Sequence, residues 1–263
     1  FSAMLNMDGY EGSQFTDGGK FPKTSKEFVC PSHVARGFAP TNFTPTRIPN
    51  PPAGQQTQTL GLDDKQAPRM SYVPNEILMP RKKFSSGYDK DNIGTDKCTV
   101  DLVYVSADEV KFPGNTILIG EYNQNPACLH GTSAGGGTAY KTHRPTTALK
   151  VEDQANVGTF FKFDSEKWHK NVTTDKKVYK VYQLLPGDAM DALDSVDNGT
   201  FSDSTTNHIS YLNPNAHRTG SNYLFLDGHV GHHTLEETLA PDNYMWGDKV
   251  YSIYNKPKIN PAP

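Results

Sequence analysis

The sequence predicts an α+β fold, an antiparallel sheet with long loops and few short helices. Three observations carry this. Thirteen Tyr and thirteen Phe suit pleated, half-buried strands better than long helices. The 22 Gly and 19 Pro, at 35% hydrophobic content, imply many turns and loops. The apolar runs do not alternate regularly with long helical patterns, which argues against a doubly wound parallel sheet. With 263 residues the chain is long enough to bury a sizeable core. A net charge of −3 is too small to point to nucleic acid or an acidic membrane surface as partner. No run of about eighteen apolar residues is present to span a bilayer.

Along the chain, residues 1–28 read as the end of a helix whose earlier part lies upstream, followed by loop. Asp8 and Gly9 are the stop signal. Residues 29–255 read as a single globular domain. Its first part, 31–68, carries Pro31, Pro40, Pro45, Pro49, Pro51, Pro52 and Pro68, so it reads as an irregular arm over the core. Strand patterns follow at 71–78, 101–106, 115–122, 158–163 and 177–185. Pro74 limits the first of these to a sheet edge, since proline donates no ladder hydrogen bond. Residues 115–122 are apolar and β-branched, the signature of a buried strand. A short helix is expected from Pro186 with Asp188 as its N-cap. Another is expected after Thr234, where Glu237 completes a capping-box pattern. The proline-containing tail, 256–263, is expected to be loose.

The segment from His217 to His233 is the most informative. Residues 221–226 and 229–232 flank Asp227-Gly228, a pair that predicts a two-residue type I′ hairpin because both turn positions need positive φ. Tyr223 and Phe225 share one face, Leu224 and Leu226 the other, which implies a central strand covered on both sides. Imidazole and carboxylate side chains raise the question of a metal, with His217, Asp227 and His229 as candidates. Strand alternation splits the histidines, however: His229 and His233 on one face, His232 on the other. There is also no His-Glu-x-x-His pattern. A structural turn is the favoured reading, and no metal or cofactor is expected. For His217, a hydrogen bond to a carbonyl or carboxylate through one ring nitrogen is expected over ligation.

Cys30, Cys98 and Cys128 are too far apart for a Cys-x-x-Cys motif. Two of them would pair in an oxidising compartment, leaving one over; three reduced thiols is the other reading. Gly131-Thr132-Ser133-Ala134-Gly135 matches the nucleophile elbow of α/β-hydrolases, and Asp188 and His217 follow in the order a triad needs. The glycines at 135–137 make a poor helix start after Ser133, and no glycine-rich oxyanion segment precedes it, so a loop is favoured. Asn42, Asn171 and Asn198 sit in short glycan-acceptor patterns of low specificity.

Several segments, in order, resemble the prepilin-type processing-associated H-X9-DG family of pilin-like bacterial surface proteins. Val29-Cys30-Pro31-Ser32 is similar to its Cys-Pro-Ser element. Ser71-Tyr72-Val73-Pro74-Asn75 is similar to its Ser-Tyr-x-x-Asn strand. Ala107 to Glu121, with Pro113 and Thr116, resembles its Pro-x-x-Thr-hydrophobic-Glu element. His217, nine residues, then Asp227-Gly228 matches the closing motif, with Asn222, Phe225, His229 and Val230 beside it. The resemblance spans residues 29–233. It implies a pseudopilin-like globular domain anchored in the inner membrane by an N-terminal apolar helix, and a cysteine late in that helix would make the cysteine count even. It further implies a non-catalytic structural subunit of the bacterial envelope, periplasmic or on the cell surface. Its partners would be copies of itself or other pilin-like subunits, as in type II secretion-like filaments. Two other classes stand beside this reading. One is an extracellular module binding carbohydrate or calcium through aromatic-rich loops and the Asp8-Gly9 or Asp63-Asp64 regions, although no Asp-x-Asp-x-Asp-Gly loop is present. The other is a serine hydrolase using Ser133.

Overall fold

The computed structural model describes residues 29–34, 37, 42–43, 71–79, 105–132, 138–140, 145–152, 160–161, 180–201, 206–251 and 256–263. The fold is α+β. Strands β1 (Asn42–Phe43), β4 (His130–Thr132) and β5 (Thr138–Tyr140) form a small sheet in the order β1-β5-β4. A second sheet holds β2 (Tyr72–Pro74), β3 (Ile117–Glu121), β9 (Ser221–Phe225) and β10 (Val230–His233), ordered β10-β9-β3-β2 and antiparallel throughout. A third has the order β11-β8-β6-β7, from β6 (Leu149–Glu152), β7 (Phe160–Phe161), β8 (Val181–Gln183) and β11 (Ile259–Asn260). Two short α-helices, α1 (Pro186–Asp197) and α2 (Leu235–Thr238), and several 3-10 turns complete the described elements. No helix among the described residues is long and apolar enough to cross a membrane.

The second sheet positions everything that follows. Pro74 sits in β2, which among the described strands pairs only with β3 and forms the sheet edge. β9 lies in the middle, and its residues alternate: Ser221, Tyr223 and Phe225 are buried, Asn222 and Leu224 half-buried. One face is therefore fully covered and the other only partly. The covered face meets the main core, where Tyr223 packs edge-on against Trp246 at 6.3 Å between ring centroids. Asn75 ties this core together. Its side-chain amide donates to the carbonyls of Ile117 (2.8 Å) and Trp246 (3.1 Å) and accepts from the Ile77 amide. A fully buried amide needs such partners, because an unpaired one costs several kcal/mol at the upper end, roughly 1–3 by mutational data.

Four local expectations come out differently. The turn between β9 and β10 has three residues. Phe225 pairs with His229, and the Gly228 amide donates to the Phe225 carbonyl. Only Gly228 takes positive φ, at 94°. This is the type I turn plus left-handed glycine of a bulged hairpin, so Asp227 keeps an ordinary backbone and frees its carboxylate. In α1, Pro186 occupies the first turn after Leu185, and Asp188 lies inside that turn, paired with Lys150. An acid there still favours the helix dipole, but it is not the cap. Of the strand expected at 101–106, residues 101–104 lie outside the described residues, 105–106 are not in a strand, and 107–109 form a 3-10 turn. The tail is docked: β11 runs parallel to β8, and the Asn260 amide donates to the Val181 carbonyl. Lys256 also pairs with Glu109. Thr234 and Glu237 do form the reciprocal capping box.

Candidate functional site

The half-covered face of the second sheet carries the site. β3 pairs with β9 through Ile117 and Phe225, then through Ile119 and Leu224, so β3 holds one extra residue at a bulge. Continuing that register places Glu121 opposite Asn222, on the face away from Tyr223. On its other side Glu121 pairs with Tyr72 of β2. Glu121 is only 3% exposed. A carboxylate this deep needs hydrogen bonds or a counter-charge. One oxygen accepts the Asn222 backbone amide at 2.8 Å. The other lies 3.0 Å from His217 Nε2.

His217 comes from the loop between Leu212 and β9, and the loop is shaped to deliver it. The His217 amide donates to the Gly220 carbonyl and the Thr219 amide to the His217 carbonyl, each at 2.9 Å. Arg218, inside this tight turn, takes a left-handed φ of 69°. Gly220 closes it: a Cβ there would sit 2.5 Å from the His233 carbonyl oxygen, so only glycine lets the loop lie against β10.

The third component is far away in sequence. Cys30 lies with its Sγ 3.9 Å from His217 Nε2 and close to the Glu121 carboxylate. Ser32 Oγ lies 3.5 Å from the other ring nitrogen, Nδ1. Gln124 holds this segment by donating to the Ser32 carbonyl. Thiol, imidazole and carboxylate thus converge, with one ligand atom from each lying within 4.8 Å of the others. A narrow crevice too tight for a water molecule, lined by Cys30, Ser32, His33, Glu121 and Gln124, runs beside them. Burial, then the contact with Glu121, pushes the Cys30 thiol above its ordinary pKa. Burial, then the charges of Cys30 and Glu121, does the same to the Tyr72 phenol.

The remaining sequence candidates lie elsewhere. Asp227 and His229 sit at the far end of the hairpin, about 13 Å from the His217 end at roughly 3.3 Å per strand residue. There the Asp227 carboxylate accepts from the His229 amide and lies 2.6 Å from its ring Nδ1. These bonds hold the exposed Asp227 carboxyl below its ordinary pKa. The ring of His229 stacks on Phe225 at 4.4 Å, and His233 meets Phe225 edge-on at 5.7 Å. His232 faces Asn222 instead. The proposed trio of His217, Asp227 and His229 is therefore split along the strand. Among the described residues, Cys30, Glu121 and His217 are the one group of three or more metal-ligand side chains brought together.

Cys30 and Cys128 are free thiols, so they are not bonded to each other; Cys98 lies outside the described residues. Asp8, Gly9, Asp63 and Asp64 lie outside them too, as does Ser133. On the flanks of Ser133, β4 ends at Thr132 and its antiparallel partner β5 begins at Thr138, whereas the elbow pattern calls for a helix after the serine. Asp188, the acid of that scheme, is committed to Lys150. No family model, curated protein or solved structure matches the chain.

Sequence reasoning singled out Glu121 and His217 separately and treated Cys30 as a disulfide candidate. It missed that all three meet. No spacing relates residues separated by 96 and 187 positions. The available signal was that each falls in a motif segment of the resemblance.

Proposed function

We propose that this chain is the globular domain of a non-catalytic structural subunit of the bacterial envelope, pilin- or pseudopilin-like, acting by assembly and surface display. The observation that supports this reading is the use made of the motif segments. Residues 30–32, 71–75, 116–121 and 217–230, scattered in the sequence, are packed onto one sheet. Several of their polar side chains hold backbone. Asn75 binds the carbonyls of Ile117 and Trp246, Glu121 the Asn222 amide, and Asp227 the His229 amide. Side chains spent on backbone are building a scaffold. In this reading the H-X9-DG residues make a joint and a hairpin and cleave nothing. An apolar helix N-terminal to the domain would anchor it in the membrane and pack against other subunits, with the globular domain displayed outward.

The test is intact mass and N-terminal sequencing of the native protein from its host's envelope. An N-methylated first residue heading an apolar helix upstream of Phe1 is the expected result. A native chain without such a helix would remove the pilin-like reading.

A further inference from the structure

We propose that Cys30 Sγ, Glu121 and His217 Nε2 form a mononuclear binding site for a borderline-soft divalent transition metal of the zinc class. This stands apart from the envelope-subunit reading and does not depend on it.

The argument begins with which atoms converge. A nucleophilic Cys-His-acid triad needs the thiol on one imidazole nitrogen and the acid on the other. Here both face the same nitrogen. Nε2 lies 3.0 Å from Glu121 Oε1 and 3.9 Å from Cys30 Sγ. That arrangement cannot relay a proton from thiol through ring to carboxylate. It is instead the arrangement of three donors around one point. Zinc–ligand bonds of about 2.0–2.3 Å at tetrahedral angles separate donors by roughly 3.3–3.6 Å. The observed separations straddle that range, so an ion would draw the thiol in slightly and push the carboxylate out slightly.

The surroundings are those of ligands held in place. Glu121's second oxygen is fixed by the Asn222 amide, and Ser32 Oγ lies 3.5 Å from Nδ1, the ring nitrogen left over. Partners of this kind orient ligands and fix the imidazole tautomer. Charge points the same way. Among the described residues no Lys or Arg reaches Glu121, which lies against a buried thiol and a partly exposed imidazole. A divalent cation supplies the missing positive charge and converts the thiol to thiolate, its proton leaving to solvent. One thiolate, one imidazole and one carboxylate suit zinc, and they disfavour magnesium and calcium, which take oxygen ligands. The bound ion would fasten the segment at Cys30 to the joint between β3 and β9.

The probe is Co2+, added to the reduced chain and followed by absorption, then displaced with Zn2+. The expected result is one equivalent bound, with a thiolate-to-cobalt charge-transfer band and the intense visible bands of tetrahedral cobalt. Cys30→Ser should abolish the charge-transfer band. His217→Gln should weaken binding by more than about tenfold, since loss of an orienting partner alone costs 10–100-fold. A second measurement needs no variant. Iodoacetamide labelling of Cys30, read by peptide mass, should slow when Zn2+ is present. The fully buried Cys128 serves as the control for unfolding. No thiolate band, a band that survives Cys30→Ser, or labelling of Cys30 indifferent to Zn2+ would overturn the proposal. So would a Cys30–Cys98 disulfide in the native protein.

Discussion

Tyr223 sits fully buried beside Trp246, and its hydroxyl has no hydrogen-bond partner among the described residues. The ring contributes packing, while the hydroxyl has lost its water and gained nothing. An unmade bond of this kind costs about 1–3 kcal/mol. Tyr223→Phe is therefore expected to leave the protein as stable as before or to stabilise it by about 1 kcal/mol, measured as a higher urea midpoint at unchanged slope. A loss of stability on this substitution would show that the hydroxyl has a partner. Asn75 is the opposite case. It is equally buried, yet each side-chain group is used, two bonds to carbonyls and one from an amide. Burial alone does not tell these two residues apart; the count of partners does.

The β9–β10 hairpin shows how an element can be read correctly in kind and wrongly in detail. Asp227-Gly228 does mark the turn, but strand pairing places Phe225 opposite His229. That pairing leaves three loop residues, and one of them must be left-handed. Gly228 takes that role at φ 94°. Gly228→Ala is thus expected to cost about 1–2 kcal/mol, the penalty for a Cβ in that region. Asp227→Gly separates the two turn types. A type I′ turn would be eased by a second glycine. The observed turn should be weakened, because the carboxylate contacts to His229 are lost and glycine adds unfolded-state entropy. Thermal unfolding of both variants decides it, and a raised Tm for Asp227→Gly would contradict the three-residue loop.

Across the molecule, burial has placed three weak acids where they cannot ionise. Cys128, Tyr223 and Tyr244 all have pKa values pushed up by desolvation. A raised folded-state pKa gives stability that is intact below the unfolded value and lost as pH rises from there through the folded value. The unfolded values are about 8.5 for Cys and about 10 for Tyr. Stability should therefore hold to about pH 8.5 and then fall, by about 1.4 kcal/mol per pH unit for each group in play. The measurement is Tm against pH, with tyrosinate absorbance as the marker of unfolding. Tyr223→Phe should shallow the alkaline slope, and a Tm unchanged between about pH 9 and 11 would refute the account.

What could be read directly from the residues was local. Apolar residues on both faces of 221–226 implied a central strand covered on both sides; β9 does lie between β10 and β3, but its second face is only half-buried. Pro74 implied an edge, because a missing amide hydrogen acts within its own strand. Thr234 and Glu237 implied a cap, since the box closes over three residues. Pairing between distant segments was a different matter. The tail looked loose because prolines discourage regular structure, but β8 offered an open edge for Ile259 and Asn260. Asp188 looked like a cap until Lys150 and the position of Pro186 were known. The meeting of Cys30, Glu121 and His217 is the extreme case. It depends on one bulge in β3 that turns Glu121 toward Asn222, and on a tight turn that only Gly220 permits. Periodicity specifies which face a side chain takes within its own strand. It carries no information on which strands become neighbours or where their register slips by one, and the site is built from those two choices.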